Sequence, residues 1–175
     1  MTEVRITHIG GPTTLIEVGP WRLLTDPTFD PPGRRYGFGW GTASTKVRGP
    51  SVEARDLPPI DAVLLSHDHH ADNLDDAGRA ILPSVGTVVT TRAGARRLGG
   101  NSRGLLPWEE VRLEKAGYPA IVVRATPCRH GPPASRWVVG DVIGFALTWD
   151  GQRHGTFWIT GDTVFYEGVR EVSRR

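Results

Sequence analysis

Residues 66–75 have the sequence SHDHHADNLD and directly follow an apolar run, AVLL, at residues 62–65. An apolar run without alternation is typical of a strand that is buried on both faces and presents polar side chains only at its ends. His67 and His69 are two residues apart, so an extended backbone would point them the same way. Imidazole and carboxylate groups are ligands for zinc, manganese and iron. The stretch therefore predicts a metal site at the end of a buried strand.

The alternative interpretation is a polar loop that carries helix-capping acids. Asp72, Asp75 and Asp76 suit the first turn of a short helix predicted near residues 75–82. A motif match needs a confirming structural context, and the buried strand in front of the histidines favours the metal site.

Two later apolar runs also end near a possible ligand. Residues 119–127 lead to Cys128 and His130, and residues 155–160 lead to Asp162. Taken singly, His130 is either a ligand or a loop residue, and a Gly-Asp-Thr tripeptide also describes an ordinary turn. Cys128 is either a thiolate ligand or a small buried apolar residue. Because parallel and mixed sheets gather strand ends into one crevice, the recurrence of such donors favours one common site.

The order of these donors resembles the metallo-β-lactamase superfamily. The resemblance lies in a His-x-His followed by Asp, a lone His after a Thr-Pro strand end, and a Gly-Asp-Thr, which here are His67, His69, Asp72, His130 and Asp162. Residues 6–10, 14–17 and 24–29 look like the branch that contains ascorbate-6-phosphate lactonase and the N-acyl-phosphatidylethanolamine phospholipase D type enzymes. The resemblance implies an α/β (α+β) fold, an αββα sandwich, and a metal-dependent hydrolase.

The same resemblance implies roles for the site residues. His67, His69 and His130 would hold one Zn²⁺ ion, and Asp72 and Asp162 would serve a second ion and the chemistry, with Asp162 bridging. Mn²⁺ or Fe²⁺ are alternative metals. Two such ions activate water, and the expected substrate is a phosphodiester, a lactone or another ester. Three further residues are candidates for orienting or replacing a ligand: Asp26, Asp68 and His70. For Asp26, a simple strand-end turn is the alternative.

The chain departs from the family motif His-x-His-x-Asp-His after His69. A gapped match aligns Asp72 with the aspartate and Asn73 with the last histidine, whereas an ungapped match puts Ala71 and Asp72 at these positions. Asp72 is the best candidate for the second metal in either case. An extended backbone would point His70 away from the other two histidines, which favours an orienting role for it.

The family adds further strands and a final histidine ligand after this point, whereas the sequence ends at Arg175. We therefore expect one metallo-β-lactamase-like domain over residues 1–175 whose second half is incomplete and whose second metal binds more weakly. The alternative function is a truncated, catalytically silent member that keeps a metal or binds nucleic acid.

Composition agrees with one soluble domain, because 175 residues with 38% hydrophobic residues can bury a sizeable core. No apolar run is long enough to span a membrane, and the polar start does not resemble a signal peptide. A single cysteine forms no internal disulfide, which fits the cytoplasm. The net charge of +2 is too small to predict nucleic-acid binding. A small-molecule substrate is expected, and a homo-oligomer stays open.

Strands are predicted near residues 3–7, 13–18, 21–25, 61–66, 86–90, 119–127, 137–149 and 155–160, and helices near 75–82, 92–98 and 165–174. The turn sequence at residues 150–155 predicts a hairpin with His154 in its turn rather than on a metal.

Residues 30–59 lack periodicity and predict a long functional or covering loop. Its aromatic and basic residues form either a substrate wall with anion-binding charge, which could also stack on bases, or a packed cover with solvated arginines. These residues are Arg34, Arg35, Tyr36, Phe38, Trp40, Lys46 and Arg48.

Overall fold

The computed structural model describes residues 3–39, 42–131 and 140–175. The strands in these residues are β1 (Val4–Gly10), β2 (Thr13–Val18), β3 (Trp21–Thr25), β4 (Arg35–Gly39), β5 (Thr42–Thr45), β6 (Ala62–Leu64), β7 (Thr87–Thr91), β8 (Ser102–Leu105), β9 (Glu110–Lys115), β10 (Tyr118–Pro127), β11 (Ile143–Trp149) and β12 (Phe157–Ile159). The α-helices in these residues are α1 (Asp76–Ile81), α2 (Arg92–Leu98) and α3 (Glu167–Arg174).

The first sheet has six strands in the order β1-β2-β3-β6-β7-β8. Its strands β3, β6, β7 and β8 run parallel, and the hairpin strands β1 and β2 extend it antiparallel. All three residues of β6 are buried, as the uninterrupted apolar run predicts. The central position of β6 places residues 66–75 at the carboxyl end of a parallel pair, where ligands bind in sheets of this kind.

The second sheet is antiparallel in the order β12-β11-β10-β9, and it packs against the first. Alternate side chains of both sheets form one core, which includes Ile16, Leu23, Leu64, Val89, Leu113, Val123, Phe145 and Leu147. A second core lies on the outer face of the first sheet, between Leu24, Val63 and Val88 and the segment that contains α1. Helix α3 contacts β10 of the second sheet. The α/β sandwich with helices outside two sheets confirms the predicted fold class.

Three expectations need correction. β6 ends at Leu64 and not at residue 66, because the chain bends there. Residues 30–59 contain the β4–β5 hairpin, which the sequence did not reveal because its strands are short and rich in small residues. Strands β8 and β9 were also missed, although β9 alternates polar residues with Val111 and Leu113, which face the core. Part of the predicted strand 137–149 lies outside the described residues.

The hairpin prediction is confirmed: β11 and β12 pair antiparallel, and His154 lies exposed in the connection between them. Within the described part of the chain, no helix is long and apolar enough to cross a membrane.

Candidate metal centre

The backbone after β6 turns back on itself. Residues 68–70 bend and residues 71–73 form a turn, in which the carbonyl oxygen of His70 accepts hydrogen bonds from the amides of Asn73, at 3.0 Å, and Leu74, at 3.1 Å. The expectation of an extended backbone is therefore wrong for this segment. Its consequence, that His70 points away from His67, is also wrong, because the turn brings the two rings together.

Three histidines gather beside this turn. The side chains of His67, His70 and His130 each offer a ligand atom, and these atoms lie within 4.8 Å of one another. Nε2 of His67 is 3.4 Å from Nδ1 of His70, and the ring centroid of His130 lies 5.6 Å from that of His67. A tetrahedral ion with bonds of about 2.1 Å to nitrogen separates its ligand atoms by about 3.4 Å. The His67–His70 distance matches that separation.

The surroundings of His67 favour its neutral imidazole, which is the protonation state that binds metals. Its side chain is fully buried, and Nδ1 lies 2.9 Å from the hydroxyl of Ser66, which leaves Nε2 facing the other two rings. Burial, followed by the neighbouring His70 and His130, lowers the pKa of His67 to about 3. A neutral imidazole keeps the lone pair that a metal ion requires.

The structure places His69 outside this cluster. Its Nε2 lies 2.9 Å from Nη2 of Arg97, a distance typical of a hydrogen bond. Arg97 also donates to both carboxylate oxygens of Asp68, from Nε at 2.8 Å and from Nη2 at 2.5 Å. The ring centroids of His67 and His69 are 6.3 Å apart. Of the three expected first-metal ligands, the structure thus groups two, and His70 stands in the third place.

The two candidate aspartates lie next to the histidines. Oδ2 of Asp162 is 3.8 Å from Nε2 of His130. Burial raises the pKa of Asp72 above its usual range, and the nearby Asp162 adds to this effect. Oδ1 of Asp72 is buried and has no hydrogen-bond partner among the described residues. A buried carboxylate oxygen without a partner is costly, and a bound cation would satisfy it.

A cleft of about 460 Å³ opens beside these aspartates. Its lining comprises Gly11, Pro12, Thr28, Tyr36, Ser44, Thr45, Lys46, Asp72, Asn73 and Asp162. The β4–β5 hairpin thus forms one wall of the cleft. Another part of the lining, Asp72 and Asn73, belongs to residues 67–73, which we call the histidine turn.

The basic and aromatic residues of this wall are largely engaged in internal contacts. Tyr36 is buried and its hydroxyl donates to Asp30 at 3.2 Å, and Lys46 pairs with Asp75 at 3.2 Å. Arg34 pairs with Asp30 at 3.5 Å and with Asp76. Arg35 and Arg48 are exposed. The side chains of Phe38 and Trp40 lie outside the described residues. These contacts favour the packed cover over a free basic wall.

Asp26 makes a hydrogen bond to the backbone immediately before the histidine turn. Its Oδ1 accepts a hydrogen bond of 2.7 Å from the backbone amide of Ser66, directly before His67. Burial raises the pKa of Asp26 to about 8. Asp26 therefore contacts the segment that carries a candidate ligand, and it also lies in a bend directly after β3, with a φ angle of 29°.

Cys128 is half-buried, and its thiol is engaged in a hydrogen bond. Its Sγ donates to the carbonyl oxygen of Thr160 at 2.9 Å, and burial raises its pKa to about 12. These contacts favour the apolar interpretation of Cys128 over the thiolate ligand.

Two residues of the site were not foreseen from the sequence. Arg97 lies on the exposed side of α2, and nothing in its local sequence indicates a contact with Asp68 and His69. Gly140 packs against the His69 ring so closely that a Cβ atom there would lie 2.3 Å from Cε1. The only sequence signal for it was a glycine near a predicted hairpin.

Comparison with known proteins identifies the family. Residues 21–174 match the family described as Beta-lactamase superfamily domain, and the chain belongs to that family. An uncharacterized protein of Mycobacterium tuberculosis, strain H37Rv, is 32% identical over 74 residues, which are 42% of this chain and 19% of that protein. The matched segment therefore covers less than a fifth of the length of this curated relative.

Solved structures share the fold. An isothiocyanate hydrolase from Delia radicum gut bacteria has a TM-score of 0.74 and 24% identity, and the match covers 97% of this chain and 67% of that one. A possible metal-dependent hydrolase from Veillonella parvula DSM 2008 has a TM-score of 0.77 and 21% identity, with 100% and 68% covered. At this level of identity the likeness establishes the architecture.

Proposed function

We propose that this chain is a metal-dependent hydrolase whose metal ion is held by His67, His70 and His130. The observation that carries the proposal is the convergence of these three imidazoles, with ligand atoms within 4.8 Å, beside a cleft. Three imidazoles with room for a further ligand are the donor set of many catalytic zinc sites. The family match and the fold of the hydrolases that resemble the chain support the same class.

The residues present fit a divalent transition metal. The lone pair of neutral His67 faces the cluster, and the buried Oδ1 of Asp72 has no other partner among the described residues. Imidazole suits zinc and iron, and carboxylate also accepts manganese. We propose zinc as the resident ion, with Asp72 and Asp162 beside it as ligands of a second, weaker ion.

When bound, such an ion lowers the pKa of a coordinated water towards neutrality and polarises the oxygen of the scissile bond. The chain's own residues supply the surroundings. Asp72 and Asp162 line the cleft next to His130 and can accept a proton from the attacking water. Ser66 orients the ring of His67 through Nδ1, so that Nε2 stays directed at the site.

The cleft favours an uncharged ester or lactone over a phosphodiester. Among the described lining residues, Lys46 is the one cation, and its ammonium already contacts Asp75 and the carbonyl oxygen of Thr28 at 3.0 Å. Asp72 and Asp162 place negative charge at the same cleft. The proposed metal ions would offset the charge of these two carboxylates, but the described lining adds no free lysine that could bind a substrate phosphate, and this favours a neutral ester or lactone.

The test combines metal analysis with a substrate panel. Protein stripped with a chelator is titrated with Zn²⁺, and then assayed with a lactone, an aryl ester, an isothiocyanate and a phosphodiester. We expect one tightly bound zinc per chain and faster turnover of the lactone or ester than of the phosphodiester. His130→Ala should weaken zinc binding by at least about 100-fold, whereas His154→Ala, which alters the exposed turn histidine, should not.

Absence of zinc binding, or equal effects of the two histidine substitutions, would overturn the metal site. Tight zinc binding without turnover of any panel member would overturn the hydrolase and support the catalytically silent metal-binding alternative.

A further inference from the structure

His69 occupies a defined position beside the metal centre rather than in it. Its side chain is about a quarter exposed, at 26%, and its Nε2 faces Nη2 of Arg97 at 2.9 Å. A guanidinium group donates hydrogen bonds and cannot accept them, so Nε2 must be the acceptor and its lone pair is engaged. The proton of the neutral ring then lies on Nδ1, which is 4.0 Å from Oδ1 of Asp68.

Arg97 is itself fixed by a stronger interaction. It makes a two-pronged ion pair with Asp68, whose side chain is only 3% exposed. Two-pronged arginine–carboxylate pairs fix the orientation as well as the distance of the guanidinium. The same Nη2 atom contacts both Asp68 and His69, so the position of the guanidinium dictates the position of the imidazole.

The ring of His69 also lies against the backbone of Gly140. A Cβ atom on Gly140 would lie 2.3 Å from Cε1 and 2.5 Å from Nε2 of the ring. The φ angle of Gly140 is +73°, which glycine adopts without strain. The His69 ring is therefore held by contacts with both the Arg97 guanidinium and the Gly140 backbone.

We infer that Arg97 is a positioning residue that holds His69 outside the metal centre and so leaves the third imidazole position to His70. The inference rests on the proposed metal site and specifies its ligand set. His69 is a plausible competitor, since its ring centroid is only 6.3 Å from that of His67. The hydrogen bond from Arg97 removes the lone pair that competition would require, and the turn at residues 71–73 supplies His70 instead.

The experiment is a set of substitutions read by zinc affinity, measured by competition with a chromophoric chelator, and by the visible spectrum of the Co²⁺-substituted protein. In the otherwise unchanged chain, His70→Ala should weaken zinc binding by at least about 100-fold and alter the Co²⁺ spectrum, whereas His69→Ala should change affinity less than about 3-fold.

The role of Arg97 is tested in the same assay. Arg97→Met keeps the length of the side chain and removes its donors, which frees the lone pair of His69. In that background His69→Ala should become costly, by about 10-fold or more, and His70→Ala should cost correspondingly less. Arg96→Met is the matched control, because Arg96 is exposed on the same helix and has no ion pair among the described side chains. It should leave both effects unchanged.

The possible failures are distinguishable. If His69→Ala weakens zinc binding as much as His70→Ala in the chain with Arg97 intact, His69 is a ligand and the inference is wrong, whatever the folding of the Arg97 variant. If the Arg97→Met background leaves both histidine effects unchanged, Arg97 does not position His69. If the native chain binds no zinc, the proposed function fails, and the inference falls with it.

Discussion

The carboxylate of Asp75 and the ammonium group of Lys46 form an ion pair inside the protein, with 3.2 Å between Oδ2 and Nζ. Asp75 is completely buried, and its oxygens also accept hydrogen bonds from the amides of Phe29, Asp30 and Gly78. One carboxylate therefore joins the segment after β3, the end of the β4–β5 hairpin and the start of α1. The first two of these segments line the cleft.

We predict that Asp75→Ala lowers the free energy of unfolding by about 3–5 kcal/mol, because it leaves the Lys46 charge and several buried amides without an acceptor. Asp76→Ala is the control, since its side chain is 78% exposed and its pair with Arg34 is at the surface. That change should cost about 1 kcal/mol or less. Urea unfolding followed by circular dichroism measures both. Similar losses for the two variants would contradict the role of Asp75.

A second prediction concerns Gly78 in α1. A Cβ atom there would lie 1.9 Å from the carbonyl oxygen of Pro27. Alanine normally stabilises a helix relative to glycine by about 1 kcal/mol, but here the clash with backbone should reverse the sign and destabilise by about 1–3 kcal/mol. Gly37→Ala meets no atom within 4 Å and should be neutral or stabilising. Thermal unfolding of the two variants provides the measurement. A Gly78→Ala variant that is more stable than the native chain would contradict the close packing of Gly78 against Pro27.

The third prediction tests the support of the histidine turn by Asp26. Asp26→Ala removes the acceptor of the Ser66 amide and should weaken zinc binding by about 10-fold to 100-fold. Asp26→Asn keeps an acceptor oxygen and tolerates the positive φ angle, so it should retain most of the affinity. Chelator competition provides the measurement. Equal affinity in the two variants would show that the hydrogen bond does not position His67.

The fourth prediction separates chemistry from folding at Asp162. Its side chain is 43% exposed, so Asp162→Asn should unfold at an unchanged denaturant concentration. Turnover of the best panel substrate should fall by about 100-fold or more, because a neutral amide neither accepts a proton nor balances the charge of a cation. Asp150→Asn, in the exposed turn after β11, is the control and should keep full turnover. An active Asp162 variant at equal metal loading would argue against its catalytic role.

The sequence by itself determined the class of the fold and the region of the site. The uninterrupted apolar run predicts a strand buried on both faces, and all three residues of β6 are buried within the six-stranded sheet. His67 and His130 each follow a strand that the sequence predicts, and the packing of the two sheets that contain these strands brings their rings together. Elements as short as β4 and β5 escaped prediction because their stability comes from pairing with each other and not from an apolar pattern.

The tertiary structure decided which imidazoles face one another. The direction of a side chain after a strand depends on where the backbone bends, and here the chain bends soon after β6 ends at Leu64 and turns at residues 71–73. That turn directs His70 to His67, while Arg97 and Gly140, which lie 28 and 71 residues beyond His69 in the sequence, enclose His69. Local spacing carries no information about contacts so distant along the chain, because they exist only after the sheets have packed.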